Sequence, residues 1–297
     1  MPLTAEDLSH LADQAIRAAR KAADAIAARM DLPKKAMQKS GIDSLSGQVV
    51  TDTDLLCQKI ILDILEPAGR PHGIGLLTEE LPDDGSRLQR EYFWSIDPLD
   101  GTLAFVEGRP GFAVSIALVS RTGVPMIGVV ADPSTGILTH AVRDQGIFRQ
   151  GRPPASAVTD PKRPLTWIMD RSFSKHPLYQ ETAARMEELR RDLGYSGLTI
   201  RNDAGAVINA CRVLEDVPAC YFKFPRKSKG GGSLWDFAAT ACLLQEAGAV
   251  ATDMAGAPLD LNRRTSTFMM HRGVLFASDR QLAAACTTLA RAMGFLS

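Results

Sequence analysis

Between residues 75 and 150 the chain breaks into six short apolar runs, at 75–78, 92–96, 112–119, 126–131, 137–142 and 146–150. Gly, Pro, Asp and Thr separate them, which is the punctuation of strands and turns, and the close spacing fits antiparallel hairpins. Past residue 164 the pattern changes. Strand-like runs at 165–169, 198–201, 219–224, 250–253 and 274–277 alternate with helical stretches at 177–193, 204–214, 234–247 and 279–293. A helical lead-in precedes both halves. Leu8, Leu11, Ala15, Ile16, Ala19, Ala22, Ala23 and Ile26 recur at spacings of three and four, and Thr4 is placed to cap a helix over 5–29. A polar stretch over 34–47 leads to a short strand at 49–51. Thr53 is then expected to cap a second helix over 54–65, with Ile60, Ile61, Ile64 and Leu65 as its apolar side. The chain is therefore expected to be α/β. A boundary near 151–164 divides it into an N-terminal lobe, 1–155, and a C-terminal lobe, 156–297.

Composition removes several function classes. Lys+Arg and Asp+Glu are equal at 34 each, so no global field favours a nucleic acid polymer or a membrane surface. No apolar run approaches the roughly 20 residues of a membrane span. The first residues lack the basic start and apolar core of a secretory signal. Cys57, Cys211, Cys220, Cys242 and Cys286 are an odd number without a C-x-x-C pair. They point to buried thiols in a reducing, cytoplasmic setting rather than a disulfide framework or a thiolate metal site.

Function is written most densely at residues 94–105. The apolar run over 92–96 stops at Asp97, and a second acid, Asp100, follows three residues later. Pro98 fixes the backbone between them, and Gly101-Thr102 opens a short helix. Asp-Pro-x-Asp-Gly is also good turn chemistry on its own. Two acids beside fresh backbone N–H donors also suit a divalent cation and a phosphate. Other acids stand in similar settings. Glu79 and Glu80 end the run at 75–78. Asp54 falls in the first turn of a helix behind Thr51 and Thr53, and Asp236 in the first turn of another, after Gly230-Gly231-Gly232-Ser233. Taken singly, an acid in a first helical turn is explained by the macrodipole, worth about 0.3–1 kcal/mol.

Taken together, Val-Val-Thr-Asp-Thr-Asp (49–54), Thr-Glu-Glu (78–80), Trp-Ser-Ile-Asp-Pro-Leu-Asp-Gly-Thr (94–102) and Leu-Trp-Asp-Phe-Ala-Ala (234–239) resemble the inositol monophosphatase family, in family order across nearly the whole chain. That family includes 3′(2′),5′-bisphosphate nucleotidases and fructose-1,6-bisphosphatases. The resemblance implies a layered α-β-α-β-α sandwich and a Mg²⁺-dependent, lithium-sensitive phosphomonoesterase acting on a small-molecule phosphate. It implies that Glu79, Asp97 and the carbonyl of Leu99 bind a first metal. Asp97 would bridge to a second, completed by Asp100 and Asp236, and a third would lean on Glu79. The N–H groups of Gly101 and Thr102 would hold the phosphate. Thr102 and Asp54 would orient or deprotonate the attacking water, with Glu80 standing behind the ligands. Two to three Mg²⁺, with Mn²⁺ as a substitute, and a homodimer follow from the same resemblance.

The chemistry stands without the family. Phosphoryl transfer demands positioning and charge neutralisation. Glu79, Asp97, Asp100 and Asp236 would bring four negative charges to one place, which two Mg²⁺ would cancel. All-oxygen ligands favour Mg²⁺ or Mn²⁺ over zinc. No nucleophilic cysteine or histidine is required, and His10, His72, His140, His176 and His271 show no metal spacing. A second feature bears on substrate. Lys223, Arg226, Lys227 and Lys229 precede Asp236, where inositol phosphatases usually carry an acid. A solvated loop accounts for such a run, but a basic rim also suits a second phosphate. With the lead-in from Arg90 to Trp94, it inclines the reading towards the nucleotidase branch and adenosine 3′,5′-bisphosphate. Inositol 1-phosphate or another small phosphate ester is the alternative. A haloacid-dehalogenase reading of Asp52-Thr53-Asp54 would leave Asp97, Asp100 and Asp236 unexplained. A non-catalytic protein on the same scaffold would be expected to have lost Thr102 or Asp54, and both are present.

Overall fold

The computed structural model describes residues 2–32, 36–38, 49–154, 160, 162–227 and 230–296. The polar stretch over 34–47 lies outside them, apart from 36–38. Among the described residues, six α-helices and eleven strands stack in five layers. The outer layer is α1 (Ala5–Ala27) and α2 (Asp52–Gly69). Thr4 caps α1 as expected, its side chain accepting from Asp7 N at 3.1 Å. Leu8, Leu11, Ala15, Ala19, Ala22 and Ile26 of α1 pack with Cys57, Ile61, Ile64 and Leu65 of α2. Small residues along one stripe of α1 let the two helices lie flat on the sheet beneath.

That sheet has six strands in the order β3 (Gly75–Thr78), β4 (Tyr92–Asp100), β5 (Ala113–Ser120), β6 (Pro125–Asp132), β7 (Ile137–Val142) and β8 (Gly146–Arg149). The expected hairpins are there, since β4 to β8 pair antiparallel in sequence order. Only β3 runs parallel to its neighbour β4. Alternation along β4 sends Trp94 and Ile96 to the α1–α2 side and Phe93 to the opposite side.

The middle layer is α5 (Ala206–Glu215) and α6 (Leu234–Glu246), sharing one core with both sheets. At Gly128 of β6 an added Cβ would lie 2.3 Å from the carbonyl oxygen of Ala239 in α6, so helix and strand meet backbone to backbone. The second sheet follows, in the order β10 (Leu198–Arg201), β9 (Leu165–Ile168), β11 (Ala219–Lys223), β13 (Val274–Ala277), β12 (Val250–Thr252). Here β10, β9 and β11 are parallel and β13 is antiparallel to both its neighbours. The last layer, α4 (Tyr179–Asp192) and α7 (Arg280–Ala292), covers its outer face through Met186, Leu189, Leu282, Cys286 and Leu289 around Trp167. This is the expected α-β-α-β-α sandwich.

Three details differ from the sequence reading. First, β1 (Ala36–Gln38) pairs antiparallel with β2 (Val49–Thr51), and nothing in Ala-Met-Gln signals a strand. Second, α2 starts at Asp52 and its cap is Thr51, not Thr53; the Thr51 hydroxyl accepts from Thr53 N at 3.2 Å. Third, β4 does not stop at Asp97. It continues through Pro98 to Asp100, with a register shift between Asp97 and Asp100. A bulge is where a sheet tolerates proline, because the missing N–H falls outside the ladder. The five cysteines are unbridged, and all but the half-buried Cys211 are buried. No helix among the described residues is long and apolar enough to cross a membrane.

Candidate metal and phosphate site

The functional candidates meet where β3 and β4 end and where α2, α3 (Thr102–Val106), α5 and α6 begin. Helix N-termini carry partial positive charge, so four of them converge on this acidic cluster.

Asp97, Asp100 and Asp236 each present a carboxylate oxygen within 4.8 Å of the other two. The bulge in β4 brings the first two together. Leu99 N donates to Asp97 Oδ1 at 3.0 Å, so the motif folds back on its own leading acid. Asp100 is then aimed at α5, where Ala206 N and Val207 N donate to its two oxygens at 3.3 and 2.9 Å. Gly205 makes room for this, because a Cβ there would lie 2.4 Å from Asp100 Oδ2. Asp236 arrives from α6, its Oδ2 accepting from Ser233 N at 2.8 Å. Ser115, paired with Asp97 across the sheet, donates its hydroxyl to the Trp235 carbonyl at 3.1 Å and ties α6 to the strand. Among the described residues, this is the one group of three or more His, Cys, Asp or Glu side chains close enough to share a cation.

The electrostatics separate this cluster from ordinary helix caps. At an effective dielectric near 20, two unit charges about 5 Å apart repel by about 3 kcal/mol, against about 1 kcal/mol gained from a cap. Burial pushes Asp97 well above the usual carboxylate range, and the charges of Glu79, Asp100 and Asp236 push the same way. Burial and the Asp236 charge raise Asp100 to about 8, against the pull of the Val207 N–H and Lys223. Burial and Glu79 raise Asp236 to about 7. Carboxylates so placed either hold protons or share a cation. Their all-oxygen donor set fits a hard divalent ion.

Glu79 stands outside the tight group of three, half-buried at the end of β3, yet its charge acts on Asp97, Asp100, Asp236 and Asp54. A buried bond from Thr78 Oγ1 to Gln58 Oε1, 2.7 Å, ties that end of β3 to α2. Glu80 is half-buried in the following turn and is not brought into the group.

Asp54 and Thr102 form a second pair beside it. Asp54 Oδ2 accepts from Thr51 N at 2.8 Å and Thr51 Oγ1 at 2.6 Å, while Oδ1 lies 3.0 Å from Thr102 Oγ1. One carboxylate thus caps its helix with one oxygen and faces the site with the other. Burial raises Asp54, partly offset by those hydrogen bonds. The Leu99 carbonyl is also 3.0 Å from Thr102 Oγ1, which has one proton for two acceptors. Gly101 has φ +80°, and a Cβ there would strike the Gly111 carbonyl at 2.8 Å. The first intrahelical bonds run from Ala104 N and Phe105 N to Gly101 O, so the N–H groups of Gly101 and Thr102 stand ahead of them.

The residues of the basic run have different settings. Lys223 is nearly buried, its Nζ 2.8 Å from Asp170 Oδ2 and 2.7 Å from the Gly231 carbonyl. Arg226 and Lys227 are exposed, and Lys229 lies outside the described residues. Asp170, missed in the sequence, also accepts the Tyr221 hydroxyl at 2.8 Å. Its one signal was an acid ending an apolar run, at 165–169, as Asp97 does.

A profile of the inositol monophosphatase family matches residues 7–293. The 3′(2′),5′-bisphosphate nucleotidase CysQ of Escherichia coli is 30% identical over 256 residues, covering 86% of this chain and 95% of that protein. Inositol monophosphatase 2 of Solanum lycopersicum is 27% identical over 259 residues, covering 86% of this chain and 92% of that protein. The crystal structure of extragenic suppressor protein suhB from Bartonella henselae has the same fold. It superposes with a TM-score of 0.70 at 24% identity, covering 95% of this chain and 98% of that one. The chain belongs to the inositol monophosphatase family and is a phosphatase hydrolase.

Proposed function

We propose that this chain is a Mg²⁺-dependent phosphomonoesterase whose substrate is a nucleotide carrying 3′ (or 2′) and 5′ phosphates, with adenosine 3′,5′-bisphosphate as the leading candidate. The observation that carries the metal-dependent part is the convergence of Asp97, Asp100 and Asp236 within 4.8 Å, beside the Asp54–Thr102 pair. Glu79, Asp97, Asp100, Asp236 and the Leu99 carbonyl would hold two to three divalent ions, Mg²⁺ first and Mn²⁺ as a substitute. The chemistry supplied by such ions is neutralisation of the carboxylates and the phosphoryl oxygens, and acidification of water. Under this reading the segment 1–155 contributes most ligands, and 156–297 contributes Asp236 and the substrate side.

The protein's own groups supply the rest. The N–H groups of Gly101 and Thr102 bind phosphate oxygens at the head of α3. Thr102 can give its one proton to Asp54 or to Leu99. With the Leu99 carbonyl engaged elsewhere, the proton goes to Asp54 and the Thr102 lone pairs face the water. Asp54 is then the terminal acceptor, held in orientation by Thr51 on its far oxygen. Water attacks phosphorus directly as the ester P–O bond breaks: its proton passes through Thr102 to Asp54, the alcohol leaves as its oxyanion and takes a proton from solvent, and neither a cysteine nor a histidine takes part.

The bisphosphate assignment leans on two supports, the 30% identity to CysQ and a cation, Lys223, beside the acids. One observation favours inositol 1-phosphate instead: Lys223 is committed to Asp170 and Gly231. The two readings separate in one assay. Phosphate release would be compared on adenosine 3′,5′-bisphosphate, inositol 1-phosphate, histidinol phosphate and fructose 1,6-bisphosphate with Mg²⁺. The expected result is the highest kcat/KM on the nucleotide. A tenfold or greater preference for inositol 1-phosphate would overturn it.

A further inference from the structure

The approach to Asp236 is built from residues that cannot hold themselves in place. Gly230, Gly231 and Gly232 have φ of +98°, +85° and +126°. Three such glycines in a row have the largest conformational freedom a chain can lose on folding. Yet Asp236 must stand within 4.8 Å of two acids that repel it. Main-chain bonds fix the far side of the segment: Met269 N donates to Gly232 O at 3.1 Å and Leu234 N to Thr267 O at 2.9 Å. The near side is fixed by a side chain. Lys223, the last residue of β11, donates to Gly231 O at 2.7 Å.

Lys223 is itself constrained by two further groups. Asp170 Oδ2 is 2.8 Å away and is held in turn by the Tyr221 hydroxyl on its other oxygen. The ammonium lies 5.3 Å from the centroid of Phe237, the residue after Asp236. Phe237 also crowds Gly232, where a Cβ would fall 2.6 Å from the ring. Tyr221, Asp170, Lys223 and Gly231 thus form one connected chain from the second sheet to the loop that delivers Asp236.

We infer that Lys223 is a positioning residue, whose Asp170-held ammonium pins Gly231 and thereby sets Asp236 for cation binding. The inference rests on the reading of Asp236 as a metal ligand, and it makes a prediction whose sign is decisive. By charge alone, removing a cation beside a cation site would tighten binding of a divalent ion. By positioning, removing it would weaken binding, because the loop loses its anchor.

The experiment is calorimetric titration of Mg²⁺ into the full chain and its variants, with amide hydrogen exchange over residues 230–236 on the same samples. Lys223→Met is expected to bind Mg²⁺ about tenfold more weakly or worse, with faster exchange at Gly231 to Ser233, in line with the loss seen when groups behind metal ligands are removed. Lys223→Arg, which keeps a donor and the charge, is expected to recover at least part of both. In steady state, Lys223→Met should lower kcat at limiting Mg²⁺ and regain most of it at saturating Mg²⁺. Tighter or unchanged Mg²⁺ binding by Lys223→Met would overturn the inference, as would unchanged exchange. If Lys223→Met does not fold, Asp170→Asn carries the same test, with the same signs and a smaller size. Asp236→Asn separates the two readings. If it binds Mg²⁺ like the parent, the metal-ligand reading fails; if it does not bind while Lys223→Met binds normally, the positioning inference alone fails.

Discussion

The two arms of the acidic cluster are built on opposite plans. The turn of the segment Asp97–Thr102 is closed from within: Leu99 N donates to Asp97, the Thr102 hydroxyl lies 3.0 Å from the Leu99 carbonyl, and a bulge with one proline sets the bend. The glycines at 230–232 that lead to Asp236 are held instead from beyond themselves. Gly232 is fixed by Met269 and Gly231 by a lysine tied to Asp170, while Leu234 just beyond them bonds Thr267. A locally closed segment keeps its geometry wherever the chain places it, whereas one fixed from outside reports every disturbance in its surroundings. Damage to the first should remove a ligand or the partner of the water outright and not be reversed by more cation. Damage to the second should act through cation affinity and be reversible by more cation.

The largest effect is expected from Asp97→Asn. It should abolish measurable Mg²⁺ binding and lower kcat/KM by about a thousandfold or more, checked by calorimetry and phosphate release. Next comes Thr102→Ala, expected to lower kcat about a hundredfold while Mg²⁺ affinity changes much less. Saturating Mg²⁺ should not restore it, and a near-full rate would mean that Thr102 does not serve the water. In the second arm, Gly232→Ala places a Cβ at φ +126° against the Phe237 ring. Roughly 10–100-fold weaker Mg²⁺ binding is expected, with most of kcat regained at high Mg²⁺. If Gly232→Ala and Thr102→Ala responded alike to added Mg²⁺, the distinction between the arms would collapse.

A smaller effect concerns pH. Asp100 and Asp236 are raised to about 8 and about 7, so between pH 4 and 8 the folded protein holds protons that the unfolded chain has released. Stability from this source is complete below pH 4 and is lost as pH rises through 7 and 8. After chelation, the thermal midpoint should therefore fall from pH 5 to pH 8. Mg²⁺ should flatten that slope, and its binding near pH 7 should release protons. A midpoint that climbs with pH in chelator would contradict the geometry of the cluster.

The same contrast explains what could be read from the sequence. Strand and helix order was legible because apolar period and turn residues are local, and Asp97, Asp100 and Thr102 sit within six residues. That Asp54 meets Thr102 across 48 positions was not legible in spacing and came only from resemblance to a family. Two threonines flank Asp52, and the choice of Thr51 as cap is made by Asp54 reaching back to it, a side-chain event that propensity does not rank. The continuation of β4 past Pro98 was hidden because proline ordinarily ends a strand. Lys223 looked like one of four rim cations. Its true setting depends on Asp170, a partner far away in the chain that no periodicity marks.

Gly128 touches none of the candidate ligands, yet α6 rides on it with the Ala239 carbonyl where a methyl group would be. Asp97 belongs to the sheet and Asp236 to that helix, so the gap between them is inherited from the smallest residue on β6. A methyl group at 128 would act as a shim, lifting the helix and widening the gap. Mg²⁺ demands oxygen contacts of about 2.0–2.1 Å, while Ca²⁺ accepts about 2.3–2.6 Å. If the acids hold a cation as proposed, the ion they accept would in this sense be gauged by an absent side chain on a neighbouring strand.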